Sequence, residues 1–418
     1  MLQQLLEKTI QIGRLAVVMP DGRRFEVGGS GGASRPPVVV RVRRRRTALA
    51  LALHPEFYFG EAYMNGGLVL ERGTLWDLMD LVGRNRAQAR RRATRRRPSA
   101  LWASARRALE RTNSPRRARR NAAHHYDLST DLYRNFLDDD LQYSCAYFRE
   151  PGLSLGEAQH AKVRHIQAKL RLEPGLRVLD IGCGWGGLAI ALAQSEAVQV
   201  TGVTLSREQL QVCRDRARRA GLAQRVRFEL QDYRELTGRF DRIVSVGMFE
   251  HVGLSQHVSF FEAVERLLAE DGVALIHSIG HRSDPGRNNP WIEKYIFPGG
   301  HIPALSEVTA AVEQTNLWVT DLEILRLHYA ETLRLWRERF LRNVDRVREQ
   351  YDQRFVRMWE FYLAGSEMGF RHGDLMVLQA QLAKRVDAVP VTRDYMIEAE
   401  RALAQLDEPA PGRASAGG

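Results

Sequence analysis

With 418 residues and 44% apolar content, the chain has room for two or three packed domains. Cys145, Cys183 and Cys213 are widely spaced and form no metal-ligand pattern, so no metal is expected and a reducing compartment is. No uncharged apolar run reaches the roughly 18 residues of a membrane span. The start, MLQQLLEKTIQIGRL, carries Glu7 and Lys8 inside its apolar pattern, unlike a secretory signal. The expectation is a soluble, cytoplasmic protein.

Residues 1–83 read as a small first unit. An amphipathic helix (Leu2, Leu5, Leu6, Ile10) leads to GRLAVVMPDGRRFEVG, two short strands around a Pro-Asp-Gly turn. GGSGGASRPP reads as a loop, and PPVVVRV and TALALAL as further strands. HPEFYFGEAYMNGGL and ERGTLWDLMDLVG read as short helices. The unit holds no acid-base pair and no metal cluster, which points to binding or positioning.

Residues 84–120 form an Arg-rich linker with fifteen arginines against one acid, Glu110. That excess exceeds the net +12 of the whole chain, so the remainder is close to neutral. Such a block suits nucleic acid, an anionic membrane surface, or a solvated linker. No RNA-recognition, zinc-finger or helix-turn-helix signature accompanies it. RPSALWASARRALERT, between Pro98 and Pro115, reads as a helix able to extend its Arg stems toward lipid phosphates.

Residues 121–418 carry the catalytic pattern. NAAHHYDLSTDLYRNFLDDDLQYSCAYF comes first, with Asp127 or Ser129 placed to cap a helix. Strands VLDIG, VQVTGV, VRFELQD, FDRIVSVGM and GVALIHSIG then alternate with amphipathic helices, which indicates an open parallel α/β sheet covered on both faces. An insertion, HRSDPGRNNPWIEKYIFPGGHIPAL, follows the fifth strand. Two or three helices, including ETLRLWRERFLRNVDRVREQY, precede a last strand, DLMVLQAQLA.

The chain is organised around Val178 to Gly187, VLDIGCGWGG: an apolar strand ending in Asp180, then Gly182, Gly184 and Gly187 as G-x-G-x-x-G, then a helix. Glycines let a ligand approach the backbone, and the helix start offers free N–H groups. A dinucleotide site is the first rival. Against it, an acid precedes the glycines, and the second strand ends in Thr204 and Ser206 rather than the acid a ribose of NAD requires. Ligands of such sheets lie beyond the carboxyl ends of the strands. That rule selects 180–187, 204–209, 231–233, 247–251 and 277–280. Asp232 is placed to meet an adenine amine or to cap the next helix. Glu250 is a base, a ligand anchor or a helix-start acid, and His277 is a packed core residue or Glu250's partner at an adjacent strand end.

YSCAYF, VLDIGCGWGG, VTLS, SVGMFEHVG, LIHSIG and PWIEKYIFPGG, in this order and spacing, closely resemble the cyclopropane-fatty-acyl-phospholipid synthases, from about His124 through Met396. GEAYMNGG, around Gly60 to Gly67, is similar to that family's N-terminal lipid-binding domain. The first 55 residues match poorly, and the Arg-rich insertion is longer and more basic than the family's. The resemblance implies a class I methyltransferase Rossmann-like α/β sheet with helical insertions, preceded by a small α+β lipid-binding domain. It implies S-adenosylmethionine as co-substrate and methylene transfer to the cis double bond of phospholipid acyl chains. A methylene- or methyl-branched product is the alternative.

The resemblance also implies that the ring-closing proton passes to a bound bicarbonate ion, held by Cys145, Glu250, His277, the backbone at Ile279, and Tyr329. Tyr143, Ser144, Asp180, Gly182, Gly184, Thr204, Gln209 and Asp232 match cofactor-side positions. Membrane phospholipid, an anionic membrane surface and a second copy in a homodimer are the implied partners, with no nucleic acid. The implied location is cytoplasmic, peripheral to the inner membrane surface. An RNA methyltransferase and a lipid-binding protein with a decayed enzyme domain are the rivals from other classes. No base-stacking module supports the first, and the intact polar set opposes the second.

Overall fold

The computed structural model describes residues 1–29, 36–92, 128–282 and 289–407. Residues 30–35 of the expected loop GGSGGASRPP, the expected helix between Pro98 and Pro115, and residues 121–127 lie outside these. Helix α1 (Leu2–Thr9) precedes strands β1 (Gly13–Val18) and β2 (Arg24–Gly29). These pair antiparallel across the Pro-Asp-Gly turn, with Leu15 opposite Val27 and Val17 opposite Phe25. Strand β3 (Val38–Val42) lies parallel to β1.

Two expectations for this unit are corrected. TALALAL lies in helix α2 (Arg45–Leu53), not in a strand. Ala and Leu are strong helix formers without β-branching, and Ala48 and Leu51 bury one face at helical spacing. Helix α3 (Pro55–Met64) starts with proline in its first turn. Leu68–Arg72, of which Leu68, Glu71 and Arg72 are assigned above to the ends of two helices, is strand β4, antiparallel to β3. The small sheet runs β2-β1-β3-β4. Helix α4 (Leu75–Arg92) is longer than expected and crosses the boundary drawn at residue 83. Thr74 and Asp77 cap it reciprocally, at 2.8 and 3.1 Å.

After helix α5 (Thr130–Arg134), capped by Ser129, comes helix α6 (Leu155–Leu170). The main sheet is built from β5 (Arg177–Ile181), α7 (Gly187–Ser195), β6 (Gln199–Thr204), α8 (Arg207–Arg219), β7 (Val226–Leu230), β8 (Phe240–Val246), α9 (His257–Leu267) and β9 (Leu268–His281). Helix α10 (Pro290–Tyr295) lies in the insertion, and α11 (Leu305–Val312) follows it. Trp318–Ile324 is strand β10, which the sequence reading had missed. Its alternating Thr320, Leu322 and Ile324 are interrupted by Asp321 and Glu323, an edge pattern that a search for apolar runs overlooks.

Helices α12 (His328–Arg342), α13 (Val344–Gln350) and α14 (Gln353–His372) lead to β11 (Leu375–Ala383) and α15 (Asp394–Asp407). Among the described residues this sheet has the order β10-β11-β9-β8-β5-β6-β7. Strand β11 runs antiparallel to β9, so the sheet is mixed and not wholly parallel. Separate apolar clusters cover its two faces, one around Phe249, Phe260 and Phe261, the other around Ile166, Leu188 and Phe228. Placing β5 between β6 and β8 puts Asp180 at the sheet centre, opposite Gly202 and Val244.

The first unit is packed onto the catalytic helices. One apolar cluster runs from Leu15 and Val40 through Tyr63 and Trp291 to Tyr329 and Trp336. Tyr63 Oη donates to Glu360 at 2.7 Å, and Asp80 meets His372 at 2.8 Å. The guanidinium groups of Arg337 and Arg371 lie 5.0 and 5.8 Å from the Trp76 ring centre. Gly60 is where α3 meets the indole of Trp291: a Cβ there would lie 2.5 Å from the ring, so any larger residue displaces a fully buried Trp.

Candidate active site

A cavity of about 180 Å³ opens beyond the carboxyl ends of β5, β6, β7 and β8. Its walls include all eight residues assigned to the cofactor side: Tyr143, Ser144, Asp180, Gly182, Gly184, Thr204, Gln209 and Asp232. At Gly184, with φ of +53°, an added Cβ would meet no protein atom within 4 Å. No protein packing therefore requires glycine there; the left-handed backbone favours it. Cys213 Sγ donates to the Gly184 carbonyl at 3.1 Å and steadies the turn.

Polar groups along the walls are committed unevenly. Thr204 Oγ1 donates to Gln209 Oε1 at 2.8 Å, which turns the Gln209 amide nitrogen elsewhere. Asp232 is gripped by Arg234 at 2.9 and 2.7 Å and accepts from the Arg234 N–H, so the capping reading of Asp232 holds beside its place in the cavity wall. Asp180 is buried, and its Oδ2 has no hydrogen-bond partner among the described residues. Burial pushes its carboxyl up to about 7, against the pull of Lys162. An acceptor in that state fits a cationic or hydroxylated ligand.

Cys145, Glu250, His277, Ile279 and Tyr329 do not line this cavity. Cys145 follows Ser144, and Glu250 precedes His251, both wall residues. Cys145 and Tyr329 share one apolar cluster, with Ile279 packed against it. The loop carrying Cys145 is latched to α12 where Ala146 N–H donates to Thr332 at 3.0 Å, one turn from Tyr329. Glu250 Oε1 accepts from the Ile279 N–H at 2.6 Å, while Oε2 is buried without a partner among the described residues. Burial pushes the Glu250 carboxyl up to about 7 and the Cys145 thiol up as well.

His277 lies two residues before Ile279, on the same face of β9. Lys169 Nζ donates to Gln379 Oε1 at 2.7 Å, which turns the Gln379 amide nitrogen to His277 Nδ1 at 3.1 Å. His277 therefore carries its proton on Nε2. Burial, then the charges of Lys162 and Lys169, push it down to about 3, so it is a neutral donor and not a base. Glu250 Oε2 thus offers an acceptor and His277 Nε2 a donor. Tyr143, Tyr329, Trp336 and Tyr362 form one aromatic group. Tyr143 stacks on Trp336 at 5.2 Å, Tyr329 meets Trp336 edge-on at 5.7 Å, and the hydroxyls of Tyr143 and Tyr362 are 2.7 Å apart.

Sequence reasoning missed the buried polar residues of α6. Gln159, Lys162 and Lys169 sit at the spacing of its apolar stripe and are fully buried. A Lys four residues after Ala158, where an aliphatic side chain is expected, was the available signal.

A profile of the family described as mycolic acid cyclopropane synthetase matches residues 113–380. The cyclopropane-fatty-acyl-phospholipid synthase of Escherichia coli (strain K12) is 43% identical over 263 residues, 63% of this chain and 67% of that protein. Tuberculostearic acid methyltransferase UfaA1 of Mycobacterium tuberculosis is 38% identical over 392 residues, 89% of either chain. The solved structure of mycolic acid cyclopropane synthase CmaA1 complexed with SAH and CTAB aligns with a TM-score of 0.60 at 34% identity, covering 63% of this chain and 97% of that one. With well over half its length matched by the family profile, the chain belongs to the mycolic acid cyclopropane synthetase family and is an enzyme of the class I S-adenosylmethionine-dependent methyltransferase fold.

Proposed function

We propose that the enzyme adds a methylene group from S-adenosylmethionine across the cis double bond of an unsaturated phospholipid acyl chain, closing a cyclopropane ring. The observation that carries this reading is the buried Glu250 Oε2 without a partner beside a cofactor-sized cavity. Ring closure needs a proton acceptor that a simple methyl transfer does without. When bound, S-adenosylmethionine supplies the one-carbon unit, and a bicarbonate ion would accept the proton lost from it.

The chain's own residues do the rest. Glu250 and His277 orient the anion, with Cys145 and Tyr329 closing the site around it. Tyr143, Tyr329 and Trp336 present ring faces that stabilise positive charge developing on an acyl carbon, and their apolar surroundings keep water from quenching it. Purified enzyme is given S-adenosylmethionine and vesicles of unsaturated phosphatidylethanolamine and phosphatidylglycerol, and the released fatty acids are examined by proton NMR. Upfield ring-hydrogen signals are expected. Vinylidene or branched-methyl signals in their place would reject ring closure.

The second reading, a methyl- or methylene-branched product, is favoured by one observation. The relative aligned over 89% of this chain, first unit included, is named a methyltransferase. The same spectrum separates the two.

An acyl substrate in a bilayer requires the enzyme to reach that surface. Among the described residues no helix is long and apolar enough to cross a membrane. The first unit exposes Leu49, Leu53 and Tyr58 beside Arg43, Arg44, Arg45 and Arg46, which supports docking on an anionic leaflet. The Arg84–Arg120 block adds to it, since each Arg near such a surface contributes about 1 kcal/mol before screening. Arg90 is excluded from the test because it pairs with Asp374 at 2.6 Å. Changing Arg95, Arg96 and Arg97 to Gln is expected to raise the apparent KM for phosphatidylglycerol vesicles severalfold at low salt. Turnover on detergent-dispersed lipid should hardly change. Unaltered vesicle binding would make the block a linker. A homodimer remains part of this reading, to be checked by sedimentation.

A further inference from the structure

The loop carrying Gln142, Tyr143 and Ser144 forms one wall of the cavity, and α6 holds it from one side. Gln159 Nε2 donates to the carbonyls of Gln142, at 3.2 Å, and Ser144, at 2.9 Å. Lys162 Nζ donates to the Gln142 side-chain oxygen and, at 3.1 Å, to Ser144 Oγ. Lys162 is fully buried, and both of these partners are uncharged. Asp138, Asp140, Asp180 and Cys145 face it at longer range, and burial pushes its ammonium down to about 8. A buried cation held by neutral dipoles is costly, and a packed aliphatic residue would serve the core better. Something at the site uses it.

An ammonium has donors only, so it dictates how each partner points. The amide of Gln142, having turned its oxygen to Lys162, directs its NH₂ the other way. Its Nε2 lies 2.6 Å from where a Cβ of Gly187 would stand, over the first residue of α7. The hydroxyl of Ser144, its lone pair taken by Nζ, rotates its hydrogen away from the cation. Two donors are thereby turned toward the cavity, next to the positive end of α7. Had Lys162 been an acceptor, both groups would reverse and present lone pairs.

We propose that Lys162 is a positioning residue for the cofactor: by fixing the polarity of Gln142 and Ser144 it builds a donor pair for the carboxylate of the cofactor's amino-acid end. The inference rests on the reading that the cavity holds S-adenosylmethionine, and it assigns to Lys162 a recognition role exerted without contact to the ligand.

Calorimetric binding of two probes tests it. S-adenosylhomocysteine carries the carboxylate; 5′-methylthioadenosine keeps the adenosine and thioether but lacks the amino-acid end. Lys162→Met is expected to weaken S-adenosylhomocysteine about tenfold or more, the scale of losing hydrogen bonds to a charged group. Binding of 5′-methylthioadenosine should stay within about twofold of wild type, because no adenosine contact is altered. The Tm of Lys162→Met should fall, since the Gln142 and Ser144 oxygens lose their buried donor and Asp180 its nearby cation, and the unchanged 5′-methylthioadenosine binding separates that loss from lost recognition. Equal losses on both probes, or none on either, would overturn the inference. If Lys162→Met does not fold, Ser144→Ala and Gln142→Leu must show the same split, and either one binding S-adenosylhomocysteine like wild type refutes it. Wild-type protein that binds neither probe would reject the cofactor reading itself, and the inference with it.

Discussion

Gly184→Val is expected to weaken S-adenosylhomocysteine binding by about a hundredfold or more, equivalent to about 2.7 kcal/mol, while leaving the fold intact. The two halves of that expectation have separate causes. A Cβ at Gly184 would meet no protein atom within 4 Å, so the added methyls strike no neighbour. The local cost is the left-handed backbone, φ of +53°, which a β-branched residue adopts at a penalty on the order of 1–2 kcal/mol. The methyls would instead occupy a cavity of only about 180 Å³ that the ligand must fill. Calorimetry and a thermal melt together decide it. Gly184→Ala should fall between wild type and valine. A valine variant binding like wild type would place the cofactor somewhere else.

Removing dissolved carbonate is expected to depress turnover, and restoring it should recover wild type but not Glu250→Gln, whose kcat should fall by about 10²–10⁴. The argument turns on which atoms are already used. Glu250 Oε1 is taken by the Ile279 N–H at 2.6 Å, which leaves Oε2, buried without a hydrogen-bond partner among the described residues, for a ligand. A carboxyl group near its pKa, here about 7, can accept from a bicarbonate O–H or donate to its oxyanion. Glutamine, bonded to Ile279 through its oxygen, offers only N–H donors there and loses the acceptor. Stability controls for misfolding. The folded-state pKa of Glu250 is raised, so the folded protein binds more protons than the unfolded chain between about pH 4 and 7, and this group makes wild-type stability fall with rising pH. Glu250→Gln lacks that term, and its Tm advantage should widen across the window and level off above it. Full wild-type activity in carbonate-free buffer would show that a side chain takes the proton, although His277 is poorly placed for that task, its Nδ1 being held by Gln379.

The catalytic sheet was legible because its strands are short, β-branched and separated by amphipathic helices. In such a sheet each strand end marks a possible ligand contact, and Asp180, Gly182, Gly184, Thr204, Gln209 and Asp232, which fall at those ends, line one cavity together with Tyr143 and Ser144, which only the resemblance supplied. Where several structures satisfy one local pattern, the reading failed. TALALAL alternates like a strand but is made of helix formers, and packing of Ala48 and Leu51 decided in favour of helix. The acids of β10 disguised a strand, because Glu323 is there to meet His165 and Lys169 from α6, 154 or more residues away in sequence.

The amino-acid sequence by itself determined the family, the order of the strands' ligand-facing ends and the identity of the groups available for chemistry. These depend on local spacing and residue type, which are properties of the linear chain. Only the tertiary structure decided the state of those groups. Whether Asp180 and Glu250 hold protons, which nitrogen of His277 carries one, and which way Gln142 and Ser144 point all depend on burial and on Lys162 and Lys169. A charge acts through space on whatever lies near it, and α6 approaches the site only when the sheet folds. Its lysines therefore read, in one dimension, as ordinary members of a helix.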